Sequence, residues 1–164
     1  MTPYFSNPIA RVALWPSASS WLGTPFHGHA CVRGHGVDCI HLAAAILTEC
    51  GHLDAVPDFG PYNLDGGHHE DASKVTDWLK NSPRCYLCWR VPFKTPGGSY
   101  LMPGDVLCFR LGKVPWHVGL MLENDTFIEC HQNRAGDGRA EIRPISDPTW
   151  KNALRAVWRP INPS

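Results

Sequence analysis

The hydrophobic rhythm of this chain changes once, and the change limits which folds are open to it. Leu42, Ala43, Ile46, Leu47 and Cys50 recur at helical spacing over about 39–50, which marks one buried face of an α-helix. Gly51 closes that run as a C-cap. Helices are also expected at 9–22, bent or split at Pro16, and at 70–81, with Val75, Trp78 and Leu79 on one face. After the Pro103-Gly104-Asp105 turn the rhythm becomes that of strands, at 106–111, 116–122, 126–131, 140–145 and 153–159. Helices first and a strand meander afterwards predict an α+β fold, with N-terminal helices packed on an antiparallel sheet of about five or six strands. The polar stretch 27–36 and the Pro- and Gly-rich stretch 52–69 read as loops.

With 164 residues the chain fits one domain, 1–164, with one proper core. No repeat or low-complexity segment divides it. Apolar residues make up 43% and charged residues 18%, the balance of a globular chain rather than a disordered one. A formal net charge of +0 argues against nucleic acid or an anionic membrane as the main partner. No run approaches a membrane span, and Pro8 and Pro16 interrupt any signal-peptide core. The expectation is a protein made in the cytoplasm without a signal peptide. Seven scattered cysteines, an odd count, read as reduced thiols rather than a disulfide framework.

The chemistry concentrates at Gly36-Val37-Asp38-Cys39, at the mouth of the central helix. Asp38 is placed to cap that helix and Cys39 to sit on its first turn. Unpaired N–H groups and the helix dipole there favour thiolate, the nucleophilic form. His117 enters the strand run His-Val-Gly-Leu and is the candidate base. A third residue must hold the imidazole in one orientation. With a three-residue loop at Glu123-Asn124-Asp125, Leu122 pairs with Thr126, Gly119 faces Glu129 and His117 faces His131. Glu129 and His131 then share the His117 face, whereas a two-residue turn would put both on the other face. The hairpin leaves both open as the third member.

Three segments carry a family resemblance: WLGTPFHGHACVRGHGVDCIHLAAAIL, PGDVLCF and HVGLMLENDTFIEC. In this order, over roughly residues 10 to 145, they resemble the NlpC-type papain-like cysteine peptidases. The short phage-type members that act on bacterial cell wall are the most similar. The resemblance implies a papain-like core with the cysteine on a helix start, packed against the sheet that carries the histidine. It implies cleavage of amide bonds in the peptide stem of peptidoglycan, commonly between D-glutamate and a diamino acid. It also implies phage or prophage association, phage tail proteins as partners, and a place in the virion or at the cell wall. Cys39 matches the family nucleophile and His117 the family base. The family's third residue, usually His in Phe-Ile-His-Ala, falls on Glu129 without a gap, and on His131 with a two-residue shift. Phe26 stands where the family often has Tyr, and Ile40-His41 replaces the common Ser-Gly. Asp38 matches an Asp that can meet a substrate amine. Asp38, Phe26, Ile40 and His41 are therefore the candidate substrate-binding residues. The other readings are an acyltransferase or amidase on a non-wall substrate, and a non-catalytic tail-assembly or wall-binding module.

No cofactor and no metal is expected. Cys85 and Cys88 have zinc-ligand spacing but lack a matching second pair, so local packing is the simpler reading. His27, His29, His35, His68 and His69 read as solvated loop histidines. Trp89 and Trp116 are candidates for stacking on sugar rings.

Overall fold

The computed structural model describes residues 2–62, 73–90, 101–111, 114–133 and 135–162. Asn7 opens the first helix, α1 (Pro8–Trp21), its side chain accepting from the Ile9 N–H at 2.9 Å. Of the two expectations at Pro16, a bend or a split, the split does not occur: α1 runs through it. Val12, one turn earlier, is exposed, so water can meet the carbonyl that Pro16 leaves unbonded. The loop expected at 27–36 holds a small antiparallel ribbon, β1 (Cys31–Val32) with β2 (Gly36–Val37). Next come α2 (Cys39–Glu49) and α3 (Ser73–Asn81). Gly51 follows α2 at φ +78°, the left-handed conformation expected of a C-cap glycine.

The remaining strands are β3 (Cys85–Arg90), β4 (Val106–Leu111), β5 (Val114–Met121), β6 (Thr126–Cys130), β7 (Ala140–Pro144) and β8 (Leu154–Pro160), with the short helix α4 (Pro148–Ala153) before β8. They form one antiparallel sheet in the order β3-β8-β4-β5-β6-β7. The sequence reading missed β3, because Cys-Tyr-Leu-Cys-Trp-Arg shows no polar alternation. The Cys85–Cys88 pair thus belongs to an edge strand. The architecture is α+β, as the change of rhythm predicts.

The two faces of the sheet are covered differently. Val118, Leu120, Ile128, Cys130 and Ala140 pack with α1 and α2 in the main core. Phe109, Met121, Phe127 and Trp150 form a second cluster on the other face. Gly119 lies on that second face, where an added Cβ would come within 2.6 Å of the Phe127 ring. A side chain there would force apart the Phe109 and Phe127 rings, whose centroids are 5.1 Å apart. Asp105 is fully buried and ties the turn before β4 to β8 through two bonds with Arg159, at 2.8 and 2.7 Å. Among the described residues no helix is long and apolar enough to cross a membrane.

Candidate active site

The helix start is built as the sequence predicts, around a carboxylate more heavily engaged than a simple cap. Asp38 is 0% exposed. Its Oδ1 accepts from the His41 N–H at 3.1 Å and from His41 Nδ1 at 2.9 Å. Its Oδ2 accepts from the His29 N–H at 2.8 Å and from the Tyr62 hydroxyl. Burial alone would raise the Asp38 pKa, but hydrogen bonds from His41 and Tyr62 outweigh it and hold the carboxyl below its ordinary value. The Tyr62 phenol is pushed up by burial and by its bond to Asp38.

Cys39 follows as the first residue of α2 and is half-buried. The Asp38 side chain takes the His41 N–H, so the N–H groups of Cys39 and Ile40 remain without an intrahelical acceptor. The backbone N–H of Val118 lies near enough to the Cys39 sulfur to favour its anion. Pairing between β5 and β6 runs from Met121↔Phe127 to Gly119↔Glu129. Burial, followed by the Asp38 charge, pushes the thiol well above its ordinary pKa, and the Val118 N–H only partly offsets them. Burial and the Asp38 charge therefore oppose the helix dipole, which favours the thiolate.

His117 precedes Val118 and lies on the second face of the sheet. The hairpin has the expected register: the Leu122 N–H reaches the Thr126 carbonyl at 2.7 Å, and Asn124 and Asp125 at its tip both have φ +56°. Glu129 and His131 accordingly fall on the His117 face. Glu129 is 0% exposed and His117 4%. The Glu129 Oε2 accepts from His117 Nε2 at 3.1 Å and from His131 Nδ1 at 2.7 Å, while its Oε1 accepts from Arg143 Nε at 3.1 Å. An ionised carboxylate only accepts, so the proton of neutral His117 sits on Nε2 and Nδ1 is the basic nitrogen. Burial would raise the Glu129 pKa, but the two histidine bonds and their charges hold it down at about 2. The two candidates for the third position are thus both present, with Glu129 between the histidines.

Phe26 is half-buried, bridges to Val37 and donates its N–H to the Gly138 carbonyl at 2.8 Å. The Ile40 side chain is core at 2% exposure, so only its backbone reaches the site. His41 packs edge-on against Phe59, ring centroids 5.1 Å apart. His131 and Arg143 also line a cleft of about 440 Å³ with Gly23, Pro25 and Asn133. A larger cavity, about 700 Å³, lies between Phe59, Trp78 and Arg84, and neither Cys39 nor His117 lines it. His68 and His69, and the side chains of Cys88, Trp89 and Trp116, fall outside the described residues.

Sequence reasoning missed Tyr62 and Arg143. Tyr62 lies within the stretch 52–69, which carries no periodic signal. Arg143 had a usable one: in β7, Glu141 pairs with Glu129, so Arg143 is the diagonal neighbour on the same face. The irregular stretch before β7 hid that register.

No known family model matches the chain, and no curated protein matches it either. Solved structures do. An NlpC/P60 family protein from Bacillus cereus is 19% identical, with 90% of this chain and 39% of that one covered and a TM-score of 0.52. A Staphylococcus aureus protein described as similar to lipoprotein, of the NLP/P60 family, is 17% identical, with 99% and 45% covered and a TM-score of 0.54. The NlpC/p60 domain of the peptidoglycan hydrolase SagA is 14% identical, with 89% and 95% covered and a TM-score of 0.51. The chain spans less than half the length of the first two and nearly all of the third. The fold is the NlpC-type papain-like fold that the sequence motifs resemble.

Proposed function

We propose that this chain is a thiol-dependent hydrolase of amide bonds in the peptide stems of bacterial cell wall. Cys39 is the nucleophile, His117 the base, and Glu129 the group that holds the imidazole, with His131 as a second donor to Glu129. One observation carries the reading. The His117 imidazole is held by the buried Glu129 carboxylate, in a chain whose cysteine stands on the first turn of a helix capped by Asp38. The name of one structural neighbour, a peptidoglycan hydrolase, supports the substrate class.

His117 Nδ1 takes the thiol proton as sulfur attacks the amide carbonyl. The N–H groups of Cys39 and Ile40 meet the oxyanion. The imidazolium, steadied by Glu129, gives its proton to the leaving amine. A thioester remains, and water activated by His117 hydrolyses it, restoring the thiol. Asp38, His41 and Phe26 would border the acyl side of the substrate, and the cleft at His131 its other arm. Cleavage between D-glutamate and a diamino acid, and a phage setting with tail proteins as partners, rest on the sequence resemblance alone.

Mass spectrometry of the fragments released from purified peptidoglycan tests the reading and identifies the bond. Cys39→Ala should release nothing. Undiminished release by that variant would overturn the assignment and favour a non-thiol chemistry.

A metal-dependent reading also has an observation behind it. His117, Glu129 and His131 offer three ligating atoms within 4.8 Å of one another, a donor set of the kind that holds zinc. Arg143 weighs against it, because its guanidinium already faces the second Glu129 oxygen and would repel a cation. Activity that resists chelators and is destroyed by thiol alkylation separates the two readings.

A further inference from the structure

We infer that Arg143 is a positioning residue of this site, holding the Glu129 carboxylate ionised and turned toward His117. The inference rests on the hydrolase reading above and deepens it. Glu129 has two oxygens and three side-chain donors. Its Oε2 is shared by two imidazoles, and its Oε1 is held by Arg143 Nε at 3.1 Å. Arg143 is the only one of the three donors that stays charged at every working pH. A carboxylate with no exposed surface stays ionised only where hydrogen bonds or a compensating charge repay its burial, and Arg143 brings Glu129 both at once; a protonated Glu129 could no longer accept from both imidazoles.

The guanidinium is itself fixed. Its second arm bonds Glu141, which also takes Arg139 Nε at 3.1 Å. The β6–β7 register sets Glu141 opposite Glu129 and brings Arg143 to the diagonal position. The clamp is therefore built by strand pairing. Among the described residues, the ionisable groups around Glu129 are His117 from β5, His131 beyond β6, and Glu141 and Arg143 from β7. From α2 the Cys39 thiol feels its charge, as does the Cys130 thiol beside it in β6. Removing one positive charge from this group raises the pKa of every neighbour.

Peptidoglycan cleavage by the full chain, followed across pH, tests this with Arg143→Met, Arg143→Lys and Cys39→Ala side by side. Arg143→Met should lose about 10- to 100-fold in kcat with KM nearly unchanged, and both limbs of its pH profile should move upward. Arg143→Lys, which keeps the charge, should hold both limbs in place and recover most of kcat. If Arg143→Met fails to fold, the Lys variant carries the test, and limbs displaced in it would overturn the clamp. Wild-type kcat and limbs in Arg143→Met, with Cys39→Ala inactive, would overturn the clamp and leave the hydrolase reading standing. Activity in Cys39→Ala would remove both.

Discussion

Asp38 and Glu129 are both fully buried carboxylates beside the proposed reacting groups, yet their partners differ in kind. Asp38 is surrounded by two backbone N–H groups, an imidazole and a phenol, none of which carries a permanent charge. Glu129 faces two imidazoles and a guanidinium. The difference shows in what each charge does to its neighbour. The Asp38 charge pushes the Cys39 thiol up, away from thiolate. The Glu129 charge faces the Arg143 guanidinium on one oxygen and is shared by the His117 and His131 imidazoles on the other. Asp38 is therefore a geometric element, capping α2 and gathering His29, His41 and Tyr62 around the helix mouth. Glu129 is the electrostatic one.

The sharpest test of that contrast is Glu129→Gln. An amide keeps the shape but must turn its NH₂ toward a donor, so the His117 tautomer is no longer enforced. We expect a loss in kcat of about 10² to 10⁴. The same variant should change behaviour in acid. The Glu129 pKa is depressed in the fold, so its contribution to stability is present above its ordinary value near 4.5 and lost as pH falls toward about 2. Thermal unfolding across that window should be less pH-dependent in Glu129→Gln than in the wild type. Equal slopes would mean that Glu129 is not the group titrating there.

Asp38→Asn should act more on the fold than on the chemistry. One of four donors would then meet an NH₂ group, at a cost of about 1–3 kcal/mol, read as a lowered Tm. The kcat should fall by no more than about tenfold, because no proton passes through Asp38. A loss as large as that of Glu129→Gln would erase the distinction between the two carboxylates.

Much of this site was legible in the sequence where local rules apply. The cap at Asp38, the first-turn position of Cys39 and the Gly51 stop follow from helix-end chemistry over a few residues. The Glu123–Asp125 loop fixed the β5–β6 register, and with it the shared face of His117, Glu129 and His131. What escaped depended on contacts that local pattern does not encode. Tyr62 reaches Asp38 across 24 residues of chain. Arg143 reaches Glu129 through a strand pairing separated by an irregular connection. The helix dipole at Cys39 is visible in sequence, whereas the burial and the Asp38 field that oppose it are properties of the packed site.

The central claim is that Cys39 and His117, far apart in the chain, work as one unit. A double-mutant cycle on kcat/KM with Cys39→Ser, His117→Ala and the double variant tests it most directly. A working pair predicts that each single change and the double fall to the same floor, within about threefold. Losses that multiply, or a Cys39→Ser variant cleaving peptidoglycan at the wild-type rate, would contradict it.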